Sequence, residues 1–321
     1  MLGWLRQFKG RPPAPAPAQS RDDGRDPQSL LHHLEWTVLR RLDGALQGEY
    51  RSLFRGAGLD LADLREYQTH DDVRHIDWNV TARLQVPHVR LHQEDREVSA
   101  WFLLDMTGSM GFGSGERSKK DLMLSFVGLM GLLLLRHGNR AGALVLTADA
   151  RRPVLYIPAR IGRRHLLHLM DVLQNVPNAP AVHDTRLEPW LREAQSLLRR
   201  RAQVFVMSDF ISPPGWEQAL AGLAQRHDAI AVRLADPLEL QLPGAGLVWL
   251  QDAETGEQLL LDTSDSTFRE RFAQKARDRE ATFAQALAYA GMDGLTMSTD
   301  EDLGLALRQF VALRKRRKLH A

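Results

Sequence analysis

The run FLLDMTGSMGF, residues 102–112, ends a short apolar stretch in a carboxylate and two hydroxyls at two-residue steps: Asp105, Thr107 and Ser109. A second stretch of the same character, AQVFVMSDF (202–210), ends in Ser208 and Asp209. Carboxylate and hydroxyl oxygens, with no imidazole or thiolate among them, suit a hard divalent cation. Mg²⁺ is the expected ion, with Mn²⁺ or Ca²⁺ as alternatives, because so few protein ligands leave octahedral positions to water or to a partner. The same Asp-x-Thr-x-Ser run also makes a good helix-capping turn, since these side chains bond free backbone N–H groups.

For these oxygens to converge, two strands must bring their carboxyl ends side by side. Both stretches are nearly continuous apolar runs, the pattern of strands covered on both faces. Between them the sequence predicts a buried helix over 118–139, with Ser118 and Asp121 as a capping box and Gly138 as its stop. Two strands joined by a tight turn follow (141–149 and 152–158), then helices over 161–175 and 187–200. Beyond Asp209 the pattern predicts a helix (214–227), a strand (228–234) and a hairpin (247–262) turning at Thr255-Gly256. A long helix (265–290), a short strand (294–298) and a last helix (301–316) complete the chain. Alternating strands and helices imply an α/β fold, a doubly wound and mostly parallel sheet flanked by helices. In such sheets the first and fourth strands are neighbours where the strand order reverses, and ligands sit at their carboxyl ends. That rule sets Asp105 opposite Asp209.

Ahead of the sheet lies a helix over 29–50, capped by Ser29 and apolar at Leu31, Leu34, Val38 and Leu42, then a charged segment with short β-like pieces. The expected division is a flexible Pro-rich leader (1–28), an N-terminal helix and β segment (29–97), the main sheet domain (98–235) and a hairpin with C-terminal helices completing the fold (236–321). With 321 residues, 44% of them hydrophobic, the chain can bury a sizeable core. Lys and Arg number 42 against 40 Asp and Glu, which argues against a dedicated nucleic-acid binder. Cysteine is absent, so disulfides and Cys-ligated zinc or iron–sulfur sites are excluded. The start, MLGWLRQFKG, has no signal-peptide core, and the apolar run near 126–135 is far shorter than the ~20 residues of a membrane span. A cytoplasmic protein is expected. The histidines, including His32-His33 and the pair His88 and His92, form no zinc pattern, and the basic end LRKRRK reads as a solvated helix terminus.

The block REYQTHDDVRHIDWNVTARLQVPHVRLHQE (65–94) resembles the signature of the domain of unknown function 58 family, through Arg65, Tyr67, Asp71, Asp72, Arg74, Asp77, Trp78 and Arg83. His70 and Pro87 depart from that pattern. Its acids and arginines read as a structural network in which Arg forks meet carboxylates, with Trp78 a packing anchor. Adjacent acids on an extended chain point to opposite faces, so Asp71 and Asp72 make no convergent pair. The family couples this block to a von Willebrand factor A-like domain, and Asp105, Thr107, Ser109 and Asp209 resemble its metal-ion-dependent adhesion site. The resemblance implies a further ligand on a second loop, best placed at Thr185. It implies an adaptor rather than an enzyme, whose metal an acidic residue of another protein completes, and a MoxR-type AAA+ ATPase as partner. The rival reading is a Mg²⁺-dependent aspartyl-phosphate hydrolase, because DMTGS also resembles the loop whose strand-end Asp is a nucleophile; Asp105 would then attack the phosphoryl group.

Overall fold

The structure, a computed structural model, describes residues 26–34, 64–68, 71–73, 76–90, 99–149, 151–177, 186–251 and 258–319. Helix α1 is Pro27–Leu34. It starts at Pro27 rather than after Ser29, because a proline has no N–H to lose at the first helical position and the Asp26 carbonyl already accepts from the Leu30 N–H. The remainder of the expected helix, 35–50, lies outside the described residues, as does the leader up to residue 25.

The signature block is not simply extended. Strands β1 (Leu64–Glu66) and β2 (His88–Arg90) pair antiparallel, with helix α2 (Trp78–Leu84) between them. Asp77 caps α2, accepting from the Asn79 and Val80 N–H groups at 3.0 and 3.2 Å. Its own N–H donates to the His88 carbonyl, and the Thr81 hydroxyl accepts from the His88 N–H, so helix and ladder form one hydrogen-bonded unit. Asp71 accepts from the Gln68 N–H and closes the preceding turn. Trp78 is 68% exposed, which corrects its reading as a packing anchor: as the first residue of α2 it points off a helix that has no buried residue. Arg83 is exposed, and Arg74 lies outside the described residues.

The main sheet has six strands: β3 (Ser99–Met106), β4 (Arg140–Thr147), β5 (Val154–Arg160), β6 (Gln203–Ser208), β7 (Asp228–Ala235) and, after a separate two-stranded hairpin of β8 (Leu247–Gln251) and β9 (Gln258–Asp262), β10 (Asp293–Ser298). Their order is β10-β7-β6-β3-β4-β5, all parallel except β5. Strand β3 is thus central and pairs with β6, so the chain winds outward in both directions from their junction.

Helices α3 (Lys119–Arg136) and α4 (Arg163–Gln174) cover one face together with α1 and the last helix, α9 (Leu303–Leu319). The other face is covered by α5 (Leu187–Leu197), α6 (Trp216–Arg226) and α8 (Ser266–Ala290). A one-turn helix, α7 (Pro237–Leu240), leads into the hairpin, where Phe112, Leu242 and Val248 form a small separate core. Helix α3 is apolar on most sides because neighbours enclose it: a Cβ on Gly128 would meet Leu34 of α1, and one on Gly131 would meet Leu166 of α4. The Ser118–Asp121 capping box starts it.

At Gly142 the β4–β5 register shifts, and a Cβ there would lie 2.7 and 2.8 Å from Ala159 backbone atoms. Backbone cannot rotate away as a side chain can. Gly142→Ala should therefore lower stability by about 1–3 kcal/mol, read as a shifted urea midpoint at unchanged m-value.

Candidate metal centre

Strand alternation decides which side chains meet at the β3–β6 junction. Leu103 faces the α5/α6/α8 side, so Asp105 does too; Val206 and then Ser208 face the same side on β6. The pairing Leu104↔Met207 sets the next residues, Asp105 and Ser208, level. The Ser208 hydroxyl donates to Asp105 Oδ2 at 2.7 Å. Asp105 Oδ1 accepts from the Thr107 hydroxyl at 2.8 Å and from the Thr107 N–H at 3.2 Å. Asp105 is 1% and Thr107 3% exposed. Ser109 sits half-buried in a 3₁₀ turn, Gly108–Gly111, that follows directly. Asp209, 8% exposed, follows Ser208 off the strand, and its Oδ1 accepts from the Ile211 N–H at 3.0 Å. Thr185 lies outside the described residues.

The sequence reading missed the cation in this group. Lys119 opens α3 and is fully buried; its Nζ donates to Asp209 Oδ2 at 2.9 Å and to Glu239 Oε1 at 2.7 Å. Glu239 belongs to a second capping box, on α7, with Asp236. Asp236, also fully buried, accepts from the Ser114 N–H at 2.8 Å and from the Thr299 hydroxyl at 2.6 Å. One charged network therefore joins the loop after β3, the start of α3, the end of β6, the β7–α7 corner and the end of β10. A signal for it was present: Lys119-Lys120 are two cations at the start of a mostly apolar helix, where the dipole disfavours them. Each is compensated: the Lys120 Nζ donates to the Gln174 and Val176 carbonyls just past the body of α4.

Burial first, and then the nearby Asp209 charge, push the Asp105 carboxyl up to about 7 against the Ser208 and Thr107 hydrogen bonds, which pull the other way. Burial also raises Glu239 above the usual carboxylate range, although the Lys119 charge opposes the rise. For Lys119 burial works against the ammonium, but the Asp209 and Glu239 charges outweigh it and hold the lysine above its usual range.

The donor chemistry fits a hard divalent cation. Burial first, and then the Asp209 charge, make the ionised form of Asp105 costly, a cost that a cation beside it would offset, and the side chains of Asp105, Thr107, Ser109 and Asp209 offer oxygen alone. Asp105, Asp209, Thr107 and Ser109 are the residues that would hold it. Among the described residues no group of three or more His, Cys, Asp or Glu could hold a metal, so this donor set is two acids completed by hydroxyls.

Two outcomes follow for the metal-free protein. Lys119→Met leaves Asp209 and Glu239 buried without their counter-charge and should cost about 3–5 kcal/mol near neutral pH. The loss should shrink as the pH falls, because Glu239, already raised by burial, can then take a proton; urea unfolding at neutral and acidic pH measures it. The folded-state value for Asp105 lies above its ordinary 3.8, so the folded state holds an extra proton between about 4 and about 7. In EDTA, stability should fall as the pH rises through that window, and Asp105→Asn should flatten the slope.

The chain is 36% identical over 303 residues to the uncharacterized protein Rv1480 of Mycobacterium tuberculosis, covering 94% of each chain. Among solved structures it is similar to an aerotolerance-related membrane protein from Bacteroides fragilis (TM-score 0.44, 12% identity, 68% of this chain and 99% of that one). It is also similar to the SpRpn10 VWA domain (TM-score 0.37, 12% identity, 68% and 95%). No helix among the described residues is long and apolar enough to cross a membrane. The family model "Protein of unknown function DUF58" matches residues 63–282, and the chain belongs to that family.

Proposed function

We propose that this chain is a von Willebrand A-like protein-interaction module whose carboxyl-edge site takes a divalent cation, Mg²⁺ before Mn²⁺ or Ca²⁺. The observation that carries this reading is the convergence of Asp105 and Asp209, through Ser208, at the junction where the winding of the sheet reverses. A cation held there by two carboxylates and hydroxyls would stay electron-poor and offer an open position to a carboxylate of another protein. Asp105, Thr107 and Ser109 come from one loop and Asp209 from its neighbour, so the chain's own task is to hold oxygens at fixed places. The partner implied by the family resemblance is a MoxR-type AAA+ ATPase, and the setting is the cytoplasm.

The phosphohydrolase reading is the weaker one. A nucleophilic Asp must present a free, ionised oxygen to its substrate. Asp105 is 1% exposed at the floor of the site, where a bare cation fits more readily than a bulky phosphoryl ester with its leaving group.

Titration calorimetry with MgCl₂ should give one site in the wild type and none in Asp105→Ala. Saturating Mg²⁺ at about 100 times Kd should raise unfolding stability by about 2.7 kcal/mol in the wild type alone. A MoxR-type ATPase co-purified with the tagged chain should be lost both in EDTA and in Asp105→Ala. Retention in both would overturn the metal-bridged contact, and phosphatase turnover that Asp105→Asn abolishes would favour the hydrolase.

A further inference from the structure

The opposite, amino-terminal edge of the sheet collects arginines from segments far apart in sequence. Strand β5 runs against its neighbours, so its last residue, Arg160, and Arg164 in the first turn of α4 lie at this edge. Helices α5 and α6 both run down to it. Arg199, Arg200 and Arg201 connect α5 to β6, and Arg226 ends α6 just before β7. All six arginines are exposed.

Helix α9 ends at the same edge, and its placement is fixed by an ion pair rather than inferred from direction alone. Arg314, largely buried, pairs with Asp228 at the start of β7 and, from Nε at 2.9 Å, with Asp293 at the start of β10. The acids that open those two strands are therefore already matched. The helix backbone then carries Lys315, Arg316, Arg317 and Lys318 onward from that anchor. In a chain of net charge +2, six exposed arginines thus meet at one edge from three separate connections.

Large apolar side chains are exposed on the same edge. Ile161, 45% exposed, follows Arg160; Leu197, 44% exposed, precedes the arginine triplet; Tyr289, 71% exposed, sits in the last turn of α8 just before β10. Six strands at a spacing of ~4.8 Å make the edge about 25 Å long. We propose that this edge docks on an anionic membrane surface, with the arginines on lipid phosphate groups and Ile161, Leu197 and Tyr289 entering the interfacial layer. Two aliphatic side chains set among arginines favour lipid over nucleic acid: an acyl boundary rewards their burial, whereas a phosphate backbone offers them nothing. The proposal does not depend on the metal reading, because the two sites lie at opposite ends of the strands.

The test is co-sedimentation of the full chain with vesicles of phosphatidylcholine alone or with roughly one third phosphatidylglycerol. Binding is expected on the anionic vesicles only. It should fall steeply between about 0.1 M and about 1 M NaCl, as the Debye length shrinks from about 10 to about 3 Å. Arg199→Gln/Arg200→Gln/Arg201→Gln should weaken it roughly tenfold or more, and Ile161→Ser/Leu197→Ser severalfold. These side chains are exposed, so thermal melts should match the wild type. The proposal is overturned by equal binding to neutral vesicles, by no binding to anionic ones, by a triple variant that binds like the wild type, or by a DNA duplex that outcompetes the vesicles.

Discussion

Charge placed where water is scarce must be compensated locally, and the carboxyl edge of this sheet is organised by that requirement. Removing an ion from water costs several kcal/mol even after relaxation. Asp105, Asp209 and Asp236 are all buried, and Glu239 is largely so, yet among the described residues the side-chain cation that pairs with any of them is the ammonium of Lys119. Lys119 answers two acids, backbone and hydroxyl donors answer Asp236, and Asp105 answers its own excess by holding a proton up to about pH 7. The loops that carry these groups are not independent decorations on the sheet. Each is held by a charge on another.

The winding of the sheet explains where charges of each sign collect. In parallel strands joined by returning helices, helix N-termini gather at the carboxyl edge and C-termini at the amino edge. Helices α3, α5, α6, α8 and α9 follow this sense. Acids at the first edge and arginines at the second therefore sit on favourable dipole ends, and Arg226 in the last turn of α6 is one example. Two places run against the rule. Lys119 opens α3, and Arg163-Arg164 open α4, which starts at the amino edge because β5 is antiparallel. Cations at unfavourable helix ends are retained where something else needs them. For Lys119 that need is visible in the carboxylates it bridges.

Much of this was legible in the residues. The apolar runs before Asp105 and Ser208-Asp209 marked two covered strands, and the doubly wound rule made them neighbours, as the β3–β6 ladder has them. Capping signals placed α3 correctly because its Ser118–Asp121 box is local in sequence. What escaped was non-local. Lys119 lies 90 positions from Asp209 and 120 from Glu239, and no periodicity announces an ion pair across such distances. Helix α2 escaped because seven residues are too few to show a period and none of them is buried; Asp77 and the β1–β2 ladder hold it instead of a buried face. Trp78 was misjudged for the same reason, since an aromatic on a helix without a buried side has nowhere to pack.

The built-in lysine also bears on what kind of cation site this edge can be. Four acids with no internal cation would hold a divalent ion mainly by charge, and carboxylates crowding the metal would blunt its pull on a further ligand. With Lys119 committed to Asp209 and Glu239, and Asp236 held by its own donors, Asp105 is the buried acid whose proton a cation would replace, beside an Asp209 charge already half-answered by Lys119. Hydroxyls at Thr107 and Ser109 must supply the remainder. Weak donors around a small residual charge make a poor trap but a strong electrophile. That balance suits a site completed by another protein's carboxylate better than one that turns over a substrate. On this argument Lys119 is the residue that sets the balance, although it would never touch the metal.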